Sequence, residues 1–215
     1  MEVMPIKYHE CEEWLLKIHY AKRLPSITYS YGLYEDNKLE GIVTYGSPPS
    51  PSLCIGICGA EYKDRVLELN RLCLLNNKKN QASFLVGNSL KLLPKPSIIV
   101  SYADTSMNHN GYIYQATNFI YTGLSDKRTE WRMIGSNQHS KTIVELYSLE
   151  ERQNNKDKFH MIDRPRKHRY IYFLGDKKQK KEMLSKLNYD VLPYPKGENK
   201  RYETDHIPTV QGVLF

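Results

Sequence analysis

The sequence predicts an α/β fold, a single mixed central sheet flanked by helices on both faces. Three observations predict it. Two β-type runs at Ser30–Tyr34 and Glu40–Tyr45 bracket the turn-forming EDNK. Two strand–loop–helix units follow, at Arg65–Leu93 and from Ser97 onward. Further β-type runs then return at Thr129–Ile134 and His168–Leu174. One layered sheet accommodates that order, and 215 residues are enough for one sizeable core.

In chain order, Glu10–Tyr20 places Trp14, Leu15 and Ile18 at helical spacing, and Pro25 ends the helix. The two runs around EDNK form an antiparallel hairpin. GSPPSPS at 46–52 is excluded from regular structure by its three prolines. RVLELNRLCLL at 65–75 alternates with Val66, Leu67, Leu69, Leu72 and Leu74 inward. Its period breaks around Asn70–Arg71, which predicts a bulge. Asn76–Asn80 is a polar loop, Ala82–Leu93 a helix closed by Pro94 and Pro96, and Ser97–Tyr102 a short buried strand. Gly111–Leu124 reads as a helix capped by Gly123. Asp176–Leu187 is a basic helix, and residues 136–166 read as an insertion. The expected organisation is a catalytic domain over 1–190 and a tail over 191–215.

Composition narrows the class. No apolar run approaches the length needed to cross a bilayer, and the N-terminus lacks the basic-then-apolar pattern of a signal peptide, so a cytoplasmic protein is expected. The four cysteines, Cys11, Cys54, Cys58 and Cys73, have no CxxC spacing and read as thiols. Net charge is +7. In 151–201, 15 Lys or Arg side chains face seven acidic ones, which leaves the rest of the chain about neutral. Such one-sided basicity points to a polyanionic partner or to a solvated basic face. Arg164, Arg166, Lys167 and Arg169, in the run RPRKHR, are the candidate phosphate contacts.

Candidate chemistry concentrates in Ser101–Gly123, SYADTSMNHNGYIYQATNFIYTG. Polar and aromatic groups this dense between a strand and a helix are costly to bury for stability alone. Ligands of α/β folds bind at the carboxyl ends of strands. Asp104 and Tyr114 are a candidate base and acid, with capping of the loop as the alternative for Asp104. The polar loop before the second helix, with Asn80 and Ser83, has suitable residue types for gripping a pyrophosphate, with an ordinary strand–helix connection as the alternative. The final QGVLF, with Gln211, Leu214 and Phe215, is similar to the peptides that dock bacterial sliding clamps.

Three segments together resemble the phage Mom-type DNA adenine modification proteins. They are YGLYEDNKLEGIVTYGSPPSPSLCIGICG, VLELNRLCLLNNKKNQASFLVGNSLKLLPKP and IIVSYADTSMNHNGYIYQATNFIYTG, and the likeness covers roughly 19–135. The resemblance implies a GNAT-like acyltransferase fold, with acyl-CoA (acetyl-CoA) or another activated donor on the loop Asn76–Ser83. It implies conversion of the adenine N6 amine in DNA to an N6-carbamoylmethyl group, which protects phage DNA from host restriction. It places His19, Arg71, Ser83, Asp104 and Tyr114 at the family's functional positions, Arg71 holding the donor's anionic part. His19 and Asp104 are also candidate ligands for iron or another metal. The expected partners are double-stranded DNA with a flipped adenine and a host sliding clamp, with no membrane. The alternatives are a GNAT-type acyltransferase on a protein or small molecule, and a non-catalytic DNA- or clamp-binding protective protein.

Overall fold

A computed structural model describes residues 1–197 apart from Tyr20, Asn77, Asn137 and His139. The expected clamp peptide, with Gln211, Leu214 and Phe215, lies outside the described residues. The chain runs β1 (Glu2–Pro5), α1 (Tyr8–Glu13) with a π-helical turn (Trp14–Ile18), β2 (Tyr29–Glu35), β3 (Lys38–Gly46) and α2 (Pro51–Cys58). It continues through β4 (Val66–Leu74), α3 (Gln81–Leu92), β5 (Ser97–Asp104), α4 (Tyr112–Ala116), β6 (Ile120–Leu124) and β7 (Arg128–Met133). Last come α5 (Ser140–Leu146), α6 (Leu149–Asn154), β8 (Phe159–Arg164), β9 (Lys167–Leu174) and α7 (Lys177–Ser185).

Seven strands form one sheet in the order β1-β2-β3-β4-β5-β9-β6, and β7 and β8 form a separate ribbon. Among the described residues only β4 and β5 pair in parallel; every other neighbouring pair is antiparallel. Helices cover both faces, as the sequence predicted. On one face Leu85, Val86 and Leu90 of α3 pack with Leu69, Ile99, Phe119 and Tyr170. On the other, Ile57 and Cys58 of α2 and Met183 of α7 pack on Val66, Ile98, Val100 and Ile171. Beside them Cys11, Trp14 and Leu15 cover Ile42 and Cys73. Alternation along the strands sends neighbouring residues to these two cores. All four cysteines are free thiols, and among the described residues no helix is long and apolar enough to cross a membrane.

Three sequence expectations are corrected. The segment 46–52 does enter a helix: Ser50 Oγ accepts the Leu53 amide at 3.4 Å and Pro51 opens α2, where a proline's missing donor costs nothing. The long helix expected over Gly111–Leu124 ends at Ala116, where Asn118 adopts a left-handed φ of +61°. Phe119–Tyr121 then enters β6 and is buried; a short apolar run of this kind fits strand and helix equally by period. Gly123 marks an irregularity in β6–β9 pairing rather than a helix end. Finally, Thr129–Ile134 does not join the central sheet: β7 pairs with β8, and 126–166 is an excursion from it. The excursion's neck is closed by Ser125 N to Lys167 O at 2.8 Å and Lys167 N to Ser125 Oγ at 2.9 Å.

Candidate active site at the fork of the sheet

The two parallel strands separate part-way along. Their pairing runs from Val66↔Ile98 to Leu69↔Ser101, yet β4 continues to Leu74 and β5 to Asp104. Beyond the fork β4 is held only by β3, and β5 only by β9. Their inner edges therefore turn unladdered backbone polar groups toward a wedge, and such groups require partners. Ser101 Oγ, buried, donates to Leu69 O at 2.9 Å and closes the crotch. The expected bulge is here. Thr44 faces Arg71 and Tyr45 faces Leu69, so Asn70 is the extra residue. Its side chain is fixed from both ends, accepting from Thr44 Oγ1 at 2.6 Å and donating to Ser26 O at 2.7 Å.

On the α1/α2 face a string of ionisable groups crosses the fork. His19, 6 % exposed, follows the π-helical turn, whose Trp14 carbonyl accepts its amide at 2.8 Å; Nδ1 accepts from Ala21 N at 3.1 Å. Burial, and then the nearby Arg71 guanidinium, push its pKa down to about 4, so the ring is neutral. Arg71 is also felt by Glu68, as is Lys167. Lys167 Nζ in turn lies 3.0 Å from Asp104 Oδ2.

The two carboxylates differ in kind. The carboxylate of Glu68, half-buried, has no hydrogen bond or ion pair among the described residues; desolvation pushes its pKa up against the pull of Arg71 and Lys167. Burial also tends to raise Asp104, but the Ser106 hydroxyl at 2.6 Å, the Ser106 amide at 3.0 Å and Lys167 outweigh it, and its pKa is lowered. Asp104 is thus an N-cap and an ion-pair partner, held ionised, while Glu68 has the higher proton affinity. Tyr102, also near Glu68, has its hydroxyl pKa raised by burial.

On the opposite face Tyr114 packs in the α3/α4 core, its ring 5.4 Å from Phe119 and 5.3 Å from Tyr170. Asp104 and Tyr114, expected as a pair, therefore sit on the two sides of the fork. Gln115 supports the turn before α4, donating to Asn110 O at 2.9 Å and to the Tyr170 hydroxyl at 3.1 Å. Between α3 and α4 runs a groove of about 410 Å³ lined by Asn80, Ser83, Phe84, Gly87, Ala116 and Thr117, among others. Asn80 precedes α3 with a left-handed φ of +66°, and its carbonyl accepts the Ser83 hydroxyl at 3.1 Å. Of the three expected donor-binding residues, Asn80 and Ser83 share this groove, whereas Arg71 lies across the fork beside His19 and Glu68.

The basic run RPRKHR is largely tied inward. Arg169, 7 % exposed, donates to Thr122 Oγ1 at 2.9 Å and Thr122 O at 3.1 Å, and its guanidinium lies 3.4 Å from the Tyr189 ring centroid. Arg166 donates to Ser125 O at 2.5 Å and Leu124 O at 3.2 Å. Lys167 is paired with Asp104. Of the four expected phosphate contacts only Arg164 keeps a half-exposed side chain with a single long ion pair, 4.0 Å to Glu130. Burial therefore removes Arg169 from any outer phosphate-binding face. The residue that sequence reasoning missed is Glu68. The available signal was an acid two residues from Val66, hence on the same face of a central strand. Among the described residues no three His, Cys, Asp or Glu side chains converge as metal ligands. His19 and Asp104, the expected ligands, therefore belong to no such three-ligand group.

The Mom protein family model matches residues 1–196. The chain is 27 % identical over 188 residues to Methylcarbamoylase mom of Escherichia phage Mu, covering 83 % of this chain and 76 % of that protein. Among solved structures it is similar to a GNAT-family acetyltransferase from Bacillus cereus (TM-score 0.42, 14 % identity, 80 % and 96 % of the two chains). It is likewise similar to Arabidopsis thaliana NAA60 in complex with acetyl-CoA (TM-score 0.44, 12 % identity, 80 % and 98 %). A match across nearly the whole described chain decides the assignment: the protein belongs to the Mom protein family.

Proposed function

We propose that this protein is a DNA-modifying transferase that converts the N6 amine of adenine in double-stranded DNA to N6-carbamoylmethyladenine, protecting phage DNA from restriction in the host cytoplasm. The observation that carries the reading is a two-sided fork in a Mom-family chain, with a ligand-sized groove on one side and a string of ionisable groups on the other.

The groove is the proposed site for an acyl-CoA. It opens at the start of α3, where amides without intrahelical partners favour phosphate. Asn80 and Ser83 would hold the phosphates, and Gly87 leaves room for the chain between α3 and α4. An acyl-CoA held there would supply an activated acyl carbon with the CoA thiol as leaving group, which by itself gives an amide at N6. The carbamoylmethyl product requires a donor of the form X–CH2–C(O)NH2, whose methylene carbon bonds N6 as X departs with the amine's proton. The adenine amine is delocalised into the ring and stacked inside the duplex, so the base must be extruded to react. On the α1/α2 face, Asp104 stays ionised and accepts a hydrogen bond from the amine, Glu68 takes its proton, and Arg71 neutralises charge beside Glu68. Neutral His19 stands beside Arg71 in the same string of groups. Tyr114, behind the fork, positions the donor's reacting end.

The test is mass spectrometry of nucleosides from DNA of cells expressing the full chain, beside Asp104→Ala and Glu68→Gln. An adenosine heavier by the carbamoylmethyl mass, absent from the folded variants, is expected. Unmodified adenosine from soluble wild-type protein overturns the reading.

A further inference from the structure

We propose that the β7–β8 ribbon is the DNA-docking element, its open face binding the duplex through Arg128, Arg132, His160 and Arg164. The proposal rests on the DNA-modifying reading and names the surface through which that substrate is held.

Register divides the ribbon into two faces. Trp131↔Met161 and Met133↔Phe159 lie on one. The Trp131 and Phe159 part of that face is covered: Arg152 stacks 5.1 Å from the Trp131 ring, Tyr147 packs 4.8 Å from Phe159, and Ile143 of α5 is fully buried, while Met161 and the pair Thr129↔Asp163 on the same face stay exposed. The other face carries Arg128↔Arg164, Glu130↔Ile162 and Arg132↔His160. Glu130, with its side chain only 12 % exposed, is ion-paired to Arg132 and lies 4.0 Å from Arg164. One sheltered acid thus holds two arginines in place, while Arg128 and His160 are exposed. Three guanidinium groups around one acid leave this face cationic, and fixing them before binding lowers the ordering cost of contact.

The location joins this face to the site. The neck of the excursion lies at Lys167, the partner of Asp104, and Thr105 Oγ1 beside it donates to Arg166 O at 2.5 Å. Arg128, at the neck end of the ribbon, is close enough to act electrostatically on Tyr102, the neighbour of Glu68. The cationic face therefore runs into the string of ionisable groups. A two-stranded ribbon is also the β element that fits the major groove, and six residues per strand span about 20 Å, close to half a turn of duplex. DNA lying along the ribbon would bring an extruded base to the fork at its root.

The experiment measures binding of a labelled 20-base-pair duplex to the full chain at several salt concentrations. It compares wild type with Arg128→Gln/Arg164→Gln and with Lys177→Gln/Lys178→Gln on the exposed start of α7. The ribbon pair is expected to reduce the slope of log affinity against log salt by about 2 and to weaken binding about ten- to hundredfold near 0.1 M salt. The α7 pair is expected to bind like wild type. If the ribbon variant lowers the melting temperature, Arg128→Gln alone, which leaves the Glu130 ion pairs intact, carries the test with a slope change of about 1. Wild-type binding with an unchanged slope in the ribbon variants overturns the proposal and leaves the DNA-modifying reading standing. A wild-type chain that does not bind duplex at all overturns both.

Discussion

Gly111→Ala should destabilise the protein far more than the same change at Gly135. Both glycines have φ of +73°, where an alanine costs about 1 kcal/mol. They differ in what the new methyl meets. At Gly111 a Cβ would lie 2.3 Å from Tyr170 Cε2 and 2.6 Å from Cζ, against an ordinary contact of about 3.5–4.0 Å. The ring has no free direction of retreat: Tyr170 is fully buried, lies 5.3 Å from Tyr114 and 5.2 Å from Tyr121, and donates its hydroxyl hydrogen to Asn110 O. Overpacking of this sort costs about 1–3 kcal/mol, and the lost freedom of the unfolded chain returns about 0.4–1 kcal/mol. The net is about 1–3.5 kcal/mol, or about 3–12 °C in melting temperature for a chain of this size. At Gly135 nothing lies within 4 Å, so the cost there is at most about 1 kcal/mol. Thermal and urea denaturation of the two variants checks the difference. Equal, small losses would refute the rigidity of Tyr170 and with it the fixed position of α4 and Tyr114.

Four further outcomes are expected. Native His19 refuses a proton that the unfolded chain accepts, so stability falls as pH drops from 6.5 to about 4 and levels off below, by up to about 3 kcal/mol; His19→Gln should flatten that slope in pH-dependent urea titrations, and an unaltered slope would sink the assignment. Gly87→Leu should leave the melting temperature level or higher, since glycine inside a helix costs about 1 kcal/mol, while its side chain fills the α3/α4 groove; calorimetric retention of acetyl-CoA unchanged from wild type would remove the groove as the donor site. Arg169→Ala should cost about 2–4 kcal/mol through its lost stack on Tyr189 and the unpaired Thr122 carbonyl, yet leave the salt slope of DNA binding unaltered below its melting point. Deleting 211–215 should abolish co-elution with the host sliding clamp; intact co-elution would dispose of the tail as its ligand.

Local pattern was enough for much of the sheet. The EDNK turn specified the β2–β3 hairpin because Asp36 and Asn37 tolerate the positive φ that a two-residue turn demands, +50° and +61°. The broken alternation at Asn70 announced its bulge because period is the only thing a strand's sequence must keep. The segment around Asp104 stood out because its polar density had no structural economy.

What only the tertiary structure decided depended on contacts distant in sequence. Ile120 and Tyr121 became strand rather than helix because β9, some fifty residues on, offered an edge to pair with. The basic run divided into buried and exposed members because Thr122 and Tyr189 stand beside Arg169 and not beside Arg164. Glu68 became a candidate proton acceptor, and Asp104 a fixed anion, only when Lys167 returned on β9 to pair with one and not the other. Sequence sets the period and the local turn. The proton affinity of a carboxylate is set by its neighbours in space, and those are chosen by the fold.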